Sequence, residues 1–213
     1  MAWRRSDGER GHGLARVERR EADFLLCYGR FDVYQKGLDT LLHAWARIAR
    51  ERPGVELRLA GRGKDEARVR ELARELGVAE RVRIVPDVER PQVLELFSGA
   101  LALLMPSRLE GLPMVPAEAM AAGVPVVAAS VGAVPEVVDP PRGGILVPPD
   151  DPEALAAAAL RLLDDPAARA ATSASARVSA ERFSWDSVAE RHLEFLQRIA
   201  AARRGTSSPS SPR

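Results

Sequence analysis

The stretch LALLMPSRLEGLPMVPAEAMAAGVPVVAA, residues 101–129, contains a complete strand–loop–helix–strand unit. Residues 101–105 form an unbroken apolar run, the pattern of a strand covered on both faces. Residues 113–122 read as a helix. Pro113 suits a first helical position, and Pro116 falls where backbone N–H groups lack intrahelical partners anyway. Gly123 closes this helix, and residues 125–129 are the next apolar run. Two such strands joined through a helix pair in parallel, because parallel neighbours need a long crossover.

The same alternation extends in both directions. Upstream, the spacing predicts strands at 24–28, 55–60 and 82–85, with helices at 37–50, 65–76 and 91–97. Gly77 suits the C-cap of the second of these helices. Downstream, residues 144–147 form a sixth strand. Asp151-Pro152-Glu153 then opens a helix with a capping carboxylate, a first-position proline and an acid at the positive end of the dipole. Further helices start at Asp165-Pro166 and at Ser184. The last of these, to about residue 201, carries Trp185, Val188, Leu193, Phe195, Leu196 and Ile199 as its apolar residues. Repeated strand–helix units predict the α/β class, a doubly wound parallel sheet of Rossmann-like type. Ligands of such sheets bind beyond the carboxyl ends of the strands, so the loops after Tyr28, Ala60, Val85, Met105 and Ala129 are the ones to inspect.

The ends read differently. Residues 1–23 hold six arginines and five acids without periodicity and are expected to be a flexible leader. Residues 24–202 are expected to form the domain, and 203–213, RRGTSSPSSPR, a disordered tail. A formal net charge of +1 gives no support to polyanion binding, and 5% aromatic residues leave little for stacking single-stranded bases, so nucleic acid is not an expected partner. A single cysteine, Cys27, excludes an internal disulfide, and three scattered histidines give no metal-ligand spacing. Cys27 sits in a predicted strand and is expected to be inert. No secretory signal or membrane-length apolar run is present, so the cytoplasm is the expected compartment.

Three loops carry candidate chemistry. Residues 29–37, GRFDVYQKG, offer Arg30 and Lys36 beside a helix start, either a clamp for a diphosphate or two solvated surface cations. Residues 61–64, GRGK, resemble a dinucleotide fingerprint only weakly, since Glu66 stands where its third glycine belongs. A tight turn that admits a ligand near the backbone is the preferred reading of Gly61 and Gly63. In the loop after residue 105, the N–H groups of Gly111, Leu112, Met114 and Val115 form an anion nest, and Arg108 lies beside them. Glu118, about one and a half turns into the helix, suits a vicinal diol as hydrogen-bond acceptor; the alternative is an ordinary surface glutamate.

Glu110 and Glu118, separated by seven residues within PSRLEGLPMVPAEAMAAGVPVV, resemble the paired-glutamate motif of family 4 retaining glycosyltransferases. GRFDVYQKG, LRLAGRG, VGAVPEVV, GGILVPPDDPEALA, LLDDP and ERFSWD resemble further segments of that family in the same order, over about residues 24–199. The resemblance implies the two-domain GT-B architecture, with this chain matching the C-terminal, donor-binding half. By that resemblance, Arg30 and Lys36 contact the donor diphosphate and Glu118 binds the ribose hydroxyls. Glu110 faces the donor sugar and the reaction centre. Backbone amides at Gly111, Leu112, Met114 and Val115 hold sugar hydroxyls or phosphate, with Arg108 as a further substrate-binding residue. Gly61 and Gly63 line the nucleotide cleft, and the loop after Val85 meets the base. Two departures stand out: Pro86 where relatives often carry glycine, and Pro116 where an apolar residue is usual.

The resemblance further implies transfer from a nucleotide diphosphate sugar with retention, no cofactor and no metal. The acceptor would be bound by a separate domain or chain, and any contact with a membrane would come through the acceptor. A non-catalytic nucleotide-binding or interaction module descended from such a transferase is the alternative.

Overall fold

The computed structural model describes residues 24–205. The expected leader and the last eight residues of the expected tail lie outside the described residues. Two compact units divide the described chain after Ala180. The first contains β1 (Phe24–Tyr28), α1 (Val33–Lys36), α2 (Leu38–Glu51), β2 (Glu56–Ala60), α3 (Glu66–Glu75), β3 (Val82–Val85), α4 (Arg90–Gly99) and β4 (Ala102–Met105). It continues with α5 (Met114–Ala121), β5 (Val126–Ala129), α6 (Val134–Val138), β6 (Gly144–Val147), α7 (Pro152–Asp164) and α8 (Pro166–Ala180). The second contains a 3-10 turn, Glu181–Phe183, and α9 (Trp185–Gly205).

The six strands of the first unit form one sheet in the order β3-β2-β1-β4-β5-β6, with every neighbouring pair parallel. This is the doubly wound arrangement predicted from the sequence. Strands β4 and β5 are buried throughout, which is why they read as unbroken apolar runs. Right-handed crossovers place the helices after β1 and β2 on one face and those after β4 and β5 on the other. Accordingly α2 packs with α3 and α7, while α5 packs with α6 and α8. Trp45, Leu41, Leu42 and Ile48 of α2 and Leu155, Ala156 and Ala159 of α7 are all fully buried. Charged residues such as Arg50 and Glu51 of α2 stay in solvent.

Side-chain caps start several helices. Asp32 accepts from the Gln35 N–H at 2.9 Å, Asp151 from the Ala154 N–H at 2.8 Å, and Asp165 from the Ala168 N–H at 2.8 Å. In the second unit, Trp185, Val188, Leu193, Phe195, Leu196 and Ile199 are exposed. Helix α9 runs to Gly205, three residues into the segment expected to be a disordered tail.

Candidate functional site

The chain leaves β1 toward β2 on one side and leaves β4 toward β5 on the other. Loops at the carboxyl ends of β1 and β4 therefore diverge and open a crevice between them. A cleft of about 400 Å³ occupies that place. Gly29, Arg30 and Lys36 line it from the first loop, and Ser107, Glu110 and Val115 from the fourth. An adjoining recess of about 640 Å³ extends toward β3, lined by Gly61, Arg62, Asp87 and Glu89. Tyr28, Gly29, Arg30 and Val115 line both. Together the two hollows cross the carboxyl ends of four strands.

The wall between the β1 and β2 loops joins main chain to main chain and adds one side-chain bridge. The Phe31 N–H donates to the Arg62 carbonyl at 2.9 Å, and the Asp65 carboxylate accepts from the Val33 N–H at 2.9 Å. A Cβ at Gly61 would fall 2.0 Å from the Gly29 carbonyl oxygen, and one at Gly63 would fall 2.2 Å from that of Phe31. This close approach is the physical need for both glycines, in keeping with the tight-turn reading. Gly61 lines the recess; Gly63 sits behind it, under the Phe31 backbone.

Two of the three residues expected nearest the chemistry, Lys36 and Glu110, meet directly. Lys36 Nζ donates to Glu110 Oε1 at 2.6 Å across the crevice, and the Glu110 side chain is only 10% exposed. Arg30 stands in solvent at the rim, with its guanidinium on the Gln35 side-chain oxygen at 3.1 Å. Leu112, Met114 and Val115 all line the cleft. Helix α5 follows Pro113, which provides no side-chain cap, so the N–H groups of Met114 and Val115 are left for another acceptor. At Gly111 an added Cβ would meet nothing within 4 Å, so packing does not require a glycine there.

Glu118 lies one turn further along α5, facing Arg90 of α4 at 3.9 Å. Burial raises its pKa, with Arg90 opposing the shift. Its charge in turn helps burial to raise the Tyr28 phenol. Tyr28 packs edge-on against Phe97, with ring centroids 6.0 Å apart. Cys27, at the base of the cleft, is pushed up to about 12 by burial and stays a neutral thiol. Arg108 stands beside the cleft rather than in its lining. Its guanidinium binds both oxygens of Asp39, at 2.9 and 3.0 Å.

Sequence reasoning missed Tyr28 and Ser107. Tyr28 ends an apolar strand and was legible there only as a strand residue. Ser107 is 1% exposed and lines the cleft, and its hydroxyl has no hydrogen-bond partner among the described residues. Its signal was a small polar residue just past a fully buried strand. Among the described residues, no group of three or more His, Cys, Asp or Glu side chains is placed to hold a metal ion. No described helix is long and apolar enough to cross a membrane.

Comparison with known proteins agrees with the geometry. The profile of the family described as glycosyl transferases group 1 matches residues 15–179. The chain is 37% identical over 180 residues to the D-inositol 3-phosphate glycosyltransferase of Saccharomonospora viridis, covering 80% of this chain and 42% of that protein. It is 35% identical over 205 residues to the glycogen synthase of Mycobacterium tuberculosis, covering 95% of this chain and 48% of that one. Sucrose-phosphate synthase from Thermosynechococcus elongatus superposes with a TM-score of 0.73 at 33% identity, covering 84% of this chain and 46% of that chain. The chain thus spans about half the length of the curated relatives it matches. The matched segment takes in the whole sheet and every residue of the cleft, and the chain belongs to the glycosyl transferases group 1 family.

Proposed function

We propose that the cleft and its adjoining recess bind a nucleotide diphosphate sugar, and that the chain is the donor-binding, C-terminal half of a family 4 retaining GT-B glycosyltransferase. The observation that carries this reading is the crevice at the strand-order reversal, with cations on one wall and uncapped amides of α5 on the other. The recess by Asp87 and Glu89 takes the nucleoside. The cleft by Lys36 and Glu110 takes the diphosphate and the sugar. Glu118 accepts hydrogen bonds from the ribose hydroxyls.

Transfer breaks the bond between the anomeric carbon and the diphosphate oxygen and forms one from that carbon to an acceptor hydroxyl oxygen on the same face, the hydroxyl proton passing to the departing diphosphate. Negative charge grows on the leaving diphosphate and positive charge on the sugar ring. Lys36 exchanges its Glu110 partner for the diphosphate and, with Arg30 and the positive end of α5, stabilises the leaving group. Glu110, released on the sugar side, opposes the ring's positive charge. Gly111 leaves room for the ligand to approach the backbone. No metal or cofactor has a step in this scheme. The acceptor is held by another domain or chain, and cytoplasmic placement, with membrane contact only through the acceptor, belongs to the same reading.

Calorimetric titration of the chain with UDP, GDP and ADP tests this reading. Binding of one of them, lost in Glu118→Ala, is the expected result. No binding of any of the three at millimolar concentration would sink it.

A further inference from the structure

Arg108 makes contacts on both sides of Lys36. Before Lys36 in the chain, its guanidinium donates to the carbonyls of Tyr34 at 3.0 Å and Val33 at 3.3 Å. After it, the same group makes the two-oxygen pair with Asp39 and reaches the Thr40 hydroxyl at 3.3 Å. The Arg108 backbone N–H donates to the Gln35 carbonyl at 2.9 Å. From the far side Asp150, just past β6, accepts from Nε at 2.5 Å. Residue 108 lies two positions before Glu110, so one residue ties both members of the Lys36–Glu110 pair to a common frame.

We propose that Arg108 is a positioning residue for donor binding: it clamps the corner between α1 and α2 to the β4–α5 loop and so sets Lys36 opposite Glu110. This rests on the nucleotide-sugar reading above. The physical reason is the weakness of α1. Four residues make a single turn, which does not hold a helical shape by itself. Two of its carbonyls and the first turn of α2 are fixed by the planar fork of one guanidinium, a geometry that lysine cannot reproduce. Burial pushes the Asp39 carboxyl up, but the hydrogen bonds and charge of Arg108, together with the backbone N–H groups of Thr40 and Asp39, outweigh it and hold the group below the usual carboxylate range. The clamp is therefore charged on both sides at neutral pH.

The test uses the whole chain and whichever of UDP, GDP and ADP it binds best. Arg108→Lys keeps the charge and loses the fork, and should weaken nucleotide affinity about 5- to 10-fold. In a Lys36→Ala background the same substitution should change affinity by less than about twofold, because the group it positions is gone. A purely structural role would lower affinity equally in both backgrounds, and that result overturns the proposal, as does an unchanged affinity in the otherwise unmodified chain. Hydrogen exchange adds a readout that needs no nucleotide. Arg108→Lys should speed exchange in peptides covering 29–40 and 106–112 and leave those of α8 unchanged. If the unmodified chain binds none of the nucleotides, the donor reading fails, and unchanged exchange at 33–40 would overturn the clamp independently.

Discussion

At the scale of single residues, the proposed ribose contact of Glu118 makes donor binding depend on pH. A carboxylate accepts two hydroxyl hydrogen bonds well only when ionised. Burial among α5, Tyr28 of β1 and Arg90 of α4 raises its pKa above the ordinary value of about 4.3. On acidification it therefore takes up its proton earlier than a solvated glutamate. Nucleotide affinity should fall as pH drops through that raised value, and Glu118→Gln should remove the dependence over the same window, as read by calorimetry at a series of pH values. Stability has the opposite sign. The folded state favours the protonated form, so this group's contribution is present at low pH and lost as pH rises through the folded pKa.

At the scale of elements, the corner after α1 depends on Gly37. Its φ is +61°, and a Cβ there would lie 2.1 Å from the Pro106 carbonyl oxygen. Gly37→Ala combines a left-handed backbone penalty with a backbone clash and should cost at least about 2 kcal/mol in urea unfolding. Gly111→Ala, with open space around it, is the control and should stay within about 0.5 kcal/mol. The strands at 24–28, 82–85 and 144–147 were legible to the residue, the first as an uninterrupted apolar run and the second, at the sheet edge, despite its exposed Arg83. Helices α1 and α6 were not. VYQK shows no apolar stripe and VPEVV is apolar almost throughout, so neither has helical periodicity. Helix α1 is held by its Asp32 cap and by distant chain: the Asp65 carboxylate accepts from the Val33 N–H 32 residues away. The same limit applies to the site. Arg30, Lys36, Glu110 and Glu118 stood out by type and loop position, but the Lys36–Glu110 pair spans 74 residues, and no local spacing encodes it. Arg108 was legible as a cation near the nest, while its engagement with Asp39 and Asp150 emerges only when α2 and the loop after β6 are folded beside it.

At the scale of the molecule, strand order does more than net charge. A balance of +1 hides a local field at one crevice, and the crevice exists because the strand order reverses between β1 and β4. Loops from four strands meet there, so a bound nucleotide is coupled to the folding of the whole sheet. At a hundredfold excess over its Kd, a ligand of the folded state adds about 2.7 kcal/mol of stability. For a unit of this size that should raise Tm by roughly 5–10 °C, as followed by scanning fluorimetry with increasing nucleotide. A nucleotide that binds by calorimetry but leaves Tm unmoved would break this coupling.

The glycine contacts at 37, 61 and 63 have a practical consequence for altering the protein. The frame of the cleft is set by carbonyl oxygens lying where side chains would otherwise be. The exposed side chains around it, such as Arg62 and Leu112, contribute little to that frame. Libraries randomised at those two positions can therefore be screened for new ligand preference on a scaffold whose shape they do not control.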